Sequence, residues 1–343
     1  MSKPMAKIDS LLKTQEASLR KKIKKYREVA KELKAHLDAH PSDWGKYQSV
    51  FNQEINAIFR DLMVFEQERL AKGDEASVYK LKRIFVNHLR ADFLYGEHIC
   101  WSLNKPYGYA GDFKIIDDIY RNDPKTDGFA RLFDNYSQMS AAAFAIRNRK
   151  EDIKKFIGSM ARANNGKALK IMDLASGPCR DINEMIEEMP PTQRNLSIDC
   201  YDQDEKAIEY AKNLLGKNLE FVSFHKENAV RIAFRKVIPN QQYDLIFSLG
   251  LFDYLDERLA QKLIGALKGL LKPKGVLFVA NFGEKYHNPS FYFLEWVGEW
   301  QLIYRSEEEF RKIFLAAGFD KENLRTEFEQ QGIIQYVIAQ KPS

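Results

Sequence analysis

Short apolar runs alternate with helical stretches from residue 168 onward, and this alternation restricts the possible folds more than any other feature of the chain. Because the runs are apolar on both faces, they are typical of a parallel sheet covered by helices on both sides. The pattern predicts a doubly wound α/β domain over residues 168–343. The five strand-like runs read ALKIMDLA, LSIDCYD, LEFVSFH, YDLIFSLG and GVLFVANF.

The last predicted strands depart from this alternation. The segment LRTEFEQQGIIQYVIAQK contains two strand-like runs around Gly332, and too few residues separate them for a crossover helix. Strands joined by so short a connection pair antiparallel. The sequence therefore predicts an antiparallel hairpin at the edge of the sheet.

The chain before residue 168 is predicted to be helical. Apolar side chains repeat there at three and four positions, which is the spacing of a helix that buries one face. The first loop dense in proline and glycine is NKPYGYAGDF, and its Tyr107 and Tyr109 are expected to form a lid over a ligand. We predict an all-helical domain over residues 1–95, a helical connector and lid over 96–167, and the α/β domain over 168–343.

Charge is concentrated at one end of the chain. The net charge is +5, and residues 1–35 contain eleven basic and four acidic side chains, so the remainder is slightly acidic. A basic segment of this kind can bind nucleic acid or anionic lipid, or it can form the solvated face of a helix. The slightly acidic remainder of the chain argues against binding along the phosphate backbone of a nucleic acid.

Cysteine usage indicates a reducing compartment. Cys100, Cys179 and Cys200 are scattered and form no CxxC pair, so their spacing predicts neither a disulfide framework nor a metal site. No apolar run approaches the ~20 residues that span a bilayer, and the first residues lack the apolar stretch of a signal peptide. We expect a cytoplasmic protein without a membrane span.

The candidate ligand site lies where the predicted strands end. In a doubly wound sheet the ligand binds beyond the carboxyl ends of the strands. The residues at these ends are Asp173, Ala175, Ser176 and Gly177 after the first strand, Asp202, Gln203 and Asp204 after the second, Asn228 and Ala229 after the third, and Ser248 and Leu249 after the fourth.

These side chains suit an adenosine without phosphates. The carboxylate of Asp202 suits the two ribose hydroxyls, and Asn228 can both donate to and accept from an adenine edge. The turn after the first strand lacks the G-x-G-x-x-G pattern, and Pro178 removes a backbone N–H that a pyrophosphate needs. The sequence therefore favours S-adenosylmethionine (SAM) over a dinucleotide.

Five motifs resemble those of class I SAM-dependent methyltransferases over residues 168–341. They are IMDLASGPC, CYDQDEKAIEYAK, ENA, YDLIFSLGLFDYLDE and LLKPKGVLFVANF. The resemblance implies a Rossmann-like sheet of seven strands with S-adenosylhomocysteine as the product. Ala175 and Cys179 replace the outer glycines of the first motif. Alanine costs little there if its φ is negative, and the Cys179 side chain must point away from the cofactor.

A wider set of segments resembles bacterial methyltransferases that make 3-hydroxy fatty acid methyl esters, a class of quorum signal. The segments are KPYGYAGDF, AAAFAIRNRK, GLFDYL and FLEWVGEWQLIYR, within a similarity that covers about residues 95–341. This resemblance implies O-methylation of the carboxylate of a small or fatty-acyl substrate.

Several residues receive roles on this basis. Asp173 is expected to orient the turn and reach the methionine amino group, and Arg147, in preference to Arg149, to bind the methionine carboxylate. A carboxylate acceptor needs no general base at neutral pH. Other acceptors need deprotonation, and the predicted catalytic residues are Asp253, Tyr254, His287 and, as an anchor for a substrate carboxylate, Arg305.

The aromatic segment after the fifth strand has two interpretations. Tyr292, Trp296 and Trp300 can line an apolar substrate pocket, or they can pack between domains.

Alternative functions also remain open. A nucleic-acid or protein methyltransferase would dock through the basic N-terminus, although SLGLFDY stands where many amino-methylating enzymes have Asn-Pro-Pro-Tyr. A SAM-binding scaffold or regulatory protein without catalysis is the other alternative. The helical stripe can also form a homodimer.

Overall fold

The computed structural model describes residues 3–164, 166–234 and 242–343, and for residues 3–16 and His88 it describes the backbone alone. The helices are α1 Lys3–Ala39, α2 Trp44–Leu70, α3 Glu75–His88, α4 Glu97–Asn104, α5 Phe113–Arg121, α6 Gly128–Gln138, α7 Ala141–Ala163, α8 Arg180–Glu188, α9 Glu205–Leu215, α10 Ala229–Ala233, α11 Glu257–Leu270 and α12 Glu307–Ala316. The strands are β1 Leu169–Leu174, β2 Leu196–Asp202, β3 Val222–Lys226, β4 Tyr243–Ser248, β5 Leu271–Phe282, β6 Leu324–Phe328 and β7 Ile334–Gln340.

The chain folds into two compact units, each made of several segments. The first unit contains Met1–Gly111, Asn122–Ser140 and Pro289–Gln301, and the second contains Asp112–Arg121, Ala141–Asn288 and Leu302–Ser343. These limits differ from the predicted boundaries after residues 95 and 167. The reason is that α7 packs on β7 and α8, whereas the segment after β5 returns to the helices of the first unit.

Aromatic side chains fill the core of the first unit. The Tyr292 hydroxyl donates to a carboxylate oxygen of Glu66 at 2.6 Å, and the ring of Trp296 packs edge-on against Phe85. Tyr292, Trp296 and Trp300 are all buried in this unit. These residues therefore pack in the helical core of the first unit, and a contact with substrate stays a prediction.

Part of the basic N-terminal segment is neutralised within the first unit. Lys25 pairs with Glu54 at 2.6 Å, and Arg27 pairs with Asp92 at 2.7 Å. The side chains of the first sixteen residues, which include three lysines of this segment, lie outside the described residues. Docking of nucleic acid or of a second subunit through this segment stays a prediction.

The sheet of the second unit confirms the predicted fold class. Its strand order is β3-β2-β1-β4-β5-β7-β6, with five parallel strands followed by the antiparallel pair at the end of the chain. The strands β1, β2 and β4 are buried along most of their length because helices cover both faces. In the described part of the chain, no helix is both long enough and apolar enough to cross a bilayer.

Helix α12 begins with a capping box, and its removal by substitution measures how much the box stabilises the second unit. The Ser306 hydroxyl accepts a hydrogen bond from Glu309 N at 3.2 Å, and the Glu309 side chain accepts one from Ser306 N at 2.7 Å. We expect Ser306→Ala to lower the free energy of unfolding by about 1 kcal/mol, because a helix N–H loses its acceptor. Urea unfolding measures this change. Glu309→Gln keeps an acceptor oxygen and is the control, so an equal loss in both variants contradicts the capping role.

Candidate active site

The turn that follows β1 has an unusual backbone. Ala175, Gly177 and Cys179 have φ values of 60°, 53° and 53°, which lie in the left-handed region. The condition under which alanine would cost little at position 175, a negative φ, is therefore not met. A residue with a Cβ is disfavoured in this region by about 1–2 kcal/mol, so neighbouring groups must hold the turn in place.

Strand β2 supplies those groups. The carbonyl oxygen of Tyr201 accepts hydrogen bonds from Ala175 N at 2.8 Å and Ser176 N at 3.2 Å. The Asp202 carboxylate accepts one bond from Gly177 N and another from Asp204 N, both at 2.9 Å. Asp202 thus shapes the turn, and its carboxylate oxygens retain lone pairs that can accept from ribose hydroxyls.

The Cys179 side chain points into the protein. Its sulfur is fully buried and lies 3.8 Å from the sulfur of Cys200 on β2, whereas Ala175 is exposed on the outer side of the turn. The Cys179 side chain therefore points away from the outer face of the turn, which is the orientation that a cofactor on that face needs.

Asp173, at the end of β1, is a buried acid without a hydrogen-bond partner at its Oδ2 atom. The hydroxyl of Ser176 is also buried and without a partner. Burial raises the pKa of Asp173 well above its ordinary value, and the nearby Asp181, Cys179 and Asp202 raise this pKa further. A cationic ligand group at this position would relieve the unfavourable charge.

The ends of β2 and β3 are joined by side chains. The Asn228 amide donates to Gln203 Oε1 at 2.7 Å, and its oxygen accepts from Val230 N at 2.7 Å as the cap of α10. Asp204 caps α9 by accepting from Lys206 N. Gln203, Asn228 and Ala229 thus form one continuous edge, and their contact with an adenine stays a prediction.

Arg149, rather than Arg147, reaches the strand ends. The Arg149 guanidinium is 3% exposed and donates through Nη1 to the carbonyl oxygen of Leu249, and its buried Nε has no hydrogen-bond partner. Arg147 is only partly buried, and its guanidinium lies over the ring of Phe144 and near the carbonyl oxygen of Ile119. The two side chains differ because residues two apart on a helix point about 200° away from each other.

The segment after β4 carries a buried carboxyl group, Asp253. Its Oδ1 accepts a hydrogen bond from Phe282 N at 2.7 Å. Burial raises its pKa to about 6, although the bond from Phe282 and the charges of Arg149 and Arg305 partly oppose this rise. The neighbouring Tyr254 is 41% exposed, and the Ser248 hydroxyl donates to the carbonyl oxygen of Leu174 on β1.

The predicted catalytic residues Arg305 and His287 lie in different surroundings. The Arg305 guanidinium is buried and donates to the carbonyl oxygens of Phe252 and Leu255 and to Asn281, so it holds the turn that carries Asp253. The His287 side chain is 63% exposed and faces Glu284 at 4.0 Å. The Arg305 guanidinium is thus engaged by two carbonyl oxygens and the Asn281 side chain, which corrects its prediction as a substrate anchor.

A second buried ion pair was not predicted from the sequence. Asp117 on α5 is fully buried and accepts from Arg180, the first residue of α8, and from the Tyr210 hydroxyl at 2.6 Å. This contact fixes the helix that follows the turn. Tyr120 on the same short helix is buried, and the charge of Arg149 partly opposes the rise that burial causes in the Tyr120 pKa. The paired aspartates of KIIDDIYR were the available signal, but their partners lie far along the chain.

The raised pKa of Asp253 predicts a dependence of stability on pH. Between its ordinary pKa of 3.8 and about 6, the unfolded chain loses this proton while the folded chain keeps it, so stability falls as pH rises. Relative to Asp253→Asn, we expect the wild type to lose about 2 kcal/mol of unfolding free energy from pH 4 to pH 7. Urea unfolding at several pH values measures the loss. The exposed Asp320→Asn is the control, and a flat difference for Asp253→Asn contradicts the burial effect.

Comparison with known proteins agrees with this geometry. Residues 165–332 match a family described as a methyltransferase domain. Malonyl-[acyl-carrier protein] O-methyltransferase 1 of Ilyobacter polytropus is 26% identical over 158 residues, which are 46% of this chain and 50% of that protein. The chain thus spans about half the length of this curated relative.

A solved structure with a TM-score above 0.5 shares the fold. A possible exported protein from Bordetella parapertussis has a TM-score of 0.58 at 18% identity, over 76% of this chain and 96% of that chain. Magnesium protoporphyrin IX methyltransferase from Synechocystis, solved with bound S-adenosylhomocysteine, has a TM-score of 0.49 at 13% identity, over 70% of this chain and 96% of that chain. The family match covers 168 of the 343 residues, so a methyltransferase domain with a Rossmann-like sheet and SAM as its cofactor is identified over residues 165–332.

Proposed function

We propose that this protein transfers the methyl group of SAM to a carboxylate oxygen of a small or fatty-acyl substrate and forms a methyl ester. The observation that carries the proposal is Arg149, a buried guanidinium beside Leu249 O with a free Nε at the end of β4. A buried arginine with unused hydrogen-bonding capacity favours a carboxylate ligand, because the guanidinium and carboxylate geometries match.

The residues at the strand ends fit the cofactor. Asp173 offers an unpartnered carboxylate oxygen to the methionine ammonium, and Ser176 offers an unpartnered hydroxyl nearby. Asp202 accepts from the ribose hydroxyls, and the edge formed by Gln203, Asn228 and Ala229 lies against the adenine. Bound SAM supplies a methyl group on a positively charged sulfur, which becomes a neutral thioether when the methyl group leaves.

The protein's own part in this reaction is mainly positional. A carboxylate acceptor is ionised at neutral pH, so no residue has to remove a proton from it. Arg149 orients the carboxylate, and Asp253, held by Phe282 N, orients Arg149 through their opposite charges. Alignment of two bound reactants can lower a barrier by about 7–11 kcal/mol in favourable cases. For a hydroxyl acceptor, Tyr254 or His287 would act as the base.

The substrate class rests on resemblance as well as on geometry. The similarity to an O-methyltransferase that acts on malonyl-[acyl-carrier protein] supports an acyl carboxylate. The subfamily motifs support a 3-hydroxy fatty acid and a product that serves as a quorum signal. The three free cysteines favour a reducing cytoplasm as the location. Tyr109 belongs to the first unit, and its role as a lid is part of this proposal.

Cofactor binding tests the first half of the proposal. We expect SAM and S-adenosylhomocysteine to bind in calorimetric titration and NADH not to bind. Asp202→Asn should weaken SAM by about 10- to 100-fold, because hydrogen bonds to a charged acceptor contribute about 1.5–3 kcal/mol. Asp204→Asn, which changes the helix cap two residues away, is the control and should stay within about threefold. Equal effects of both changes would exclude a specific ribose contact.

Acceptor recognition tests the second half. With 3-hydroxy fatty acids as substrates, Arg149→Met should raise the KM for the acceptor by about 10- to 100-fold. The affinity for SAM should change by less than about threefold. Arg147→Met tests the position that the sequence favoured, and we expect a small effect there.

Two results contradict this assignment. A loss of SAM affinity in Arg149→Met would mean that this arginine holds the methionine carboxylate instead of the acceptor. SAM binding without methyl transfer to any carboxylic acid would exclude the ester-forming reaction and leave a scaffold or another acceptor.

A further inference from the structure

Three potential metal ligands meet beneath the turn after β1, although no spacing rule groups them in the sequence. Cys179 and Cys200 are fully buried, and their sulfur atoms lie 3.8 Å apart. Asp173 is the direct neighbour of Cys200 in the register of β1 and β2. One ligand atom from each of the three residues lies within 4.8 Å of the others.

The separation of the sulfur atoms fits a tetrahedral metal ion. Two thiolates bound at about 2.3 Å to tetrahedral Zn²⁺ stand about 3.8 Å apart. A carboxylate oxygen binds the same ion at about 2.0–2.2 Å. Rotation of the Asp173 side chain is the adjustment needed for the third bond, since its Oδ2 has no hydrogen bond to lose.

The charge around these atoms also favours a cation. Asp173 and Asp181 are both buried, so an adjacent cation would offset the cost of burying their negative charge. The backbone adds a separate observation. Cys179 has a φ of 53°, where glycine is favoured, so this chain carries a thiol at a position where its Cβ is costly. Its sulfur contacts Cys200 and the carbonyl oxygen of Ser176 and points away from the outer face of the turn.

We propose that Asp173, Cys179 and Cys200 form a binding site for a thiophilic divalent cation such as Zn²⁺ or Cd²⁺, and that this cation competes with SAM. On binding, each thiol releases its proton to solvent, as does the Asp173 carboxyl where it is protonated, and each of the three groups forms one bond to the metal. Three protein ligands leave a fourth position open, as in zinc sites with an exchangeable ligand. The competition follows because the metal ion and the methionine ammonium would share the single negative charge of Asp173 and repel each other there. The competition, although not the metal binding, rests on the proposed role of Asp173 in holding SAM.

The route to the site is short. Ala175 is exposed and Gly177 is partly exposed, whereas the thiols lie directly below this turn. Metal binding would hold the end of β1, the start of α8 and β2 together in a closed arrangement.

Direct metal binding is the first test. The full chain, reduced and freed of metal by a chelator, is titrated with Cd²⁺ while the thiolate-to-cadmium absorption band is followed. We expect one ion per chain, with release by EDTA. Cys179→Gly and Cys200→Ala should each weaken binding by at least about 30-fold, since each removes one of three ligands. Cys100→Ala, at the cysteine of the first unit, is the control and should leave the affinity unchanged.

Competition is the second test. At a Zn²⁺ concentration ten times its Kd, we expect the apparent Kd of SAM to rise about tenfold, by simple mass action. Cys200→Ala should bind SAM as the wild type does and lose this sensitivity to Zn²⁺. Glycine suits the backbone at position 179, so the thermal unfolding of Cys179→Gly provides the check that the variant is folded.

Each outcome decides a separate part of the proposal. Absence of the cadmium band in the wild type, or an unchanged band in both folded cysteine variants, overturns the metal site. Independent binding of Zn²⁺ and SAM overturns the competition. The cadmium titration uses neither SAM nor an acceptor, so it decides the metal site even if the proposed methyl transfer fails.

Discussion

The left-handed turn after β1 is the constraint on which the ligand site depends. Ala175 and Cys179 adopt a backbone conformation that their Cβ atoms disfavour, at about 1–2 kcal/mol each. Strand β2 offsets this cost, because the carbonyl oxygen of Tyr201 and the carboxylate of Asp202 accept three N–H groups of the turn. The turn therefore has its shape only when β1 and β2 are paired. Ligand binding and the formation of the parallel sheet are thus linked through the same hydrogen bonds.

The charges at this edge of the sheet are arranged by strand. Asp173 ends β1 with an unpartnered carboxylate oxygen, whereas Arg149 lies against the end of β4 with an unpartnered Nε. A ligand group with positive charge suits the first position, and one with negative charge suits the second. The cofactor carries a cationic amino group and the proposed acceptor carries a carboxylate. A site with Asp173 at one strand and Arg149 at the next can therefore hold the two reactants side by side. Each buried charge of the protein is then paired with an opposite charge on a reactant.

The apolar periodicity and the alternation of strand-like and helical segments predicted the fold, whereas the hydrogen-bond partners of individual side chains were harder to predict. The strands, the final hairpin and the placement of Asp202 at the end of β2 follow from local pattern, and the structure has them as expected. The choice between Arg147 and Arg149 depended on which face of α7 meets β4, and no local pattern encodes that face. Arg305 was misjudged for a related reason, since its carbonyl partners come from a turn fifty residues away.

Cys179 shows most clearly why a sequence can conceal a chemical site. Metal motifs are recognised by ligands a few residues apart, because a short loop brings such residues together. Here Cys179 and Cys200 are separated by a helix and a strand, and the parallel register of β1 and β2 brings them into contact. Burial excludes water from both thiols and from Asp173, so these groups have few partners other than one another or a cation. A substitution that looks like a defect in a glycine motif is therefore part of a buried cluster of ligand atoms that only the paired strands create.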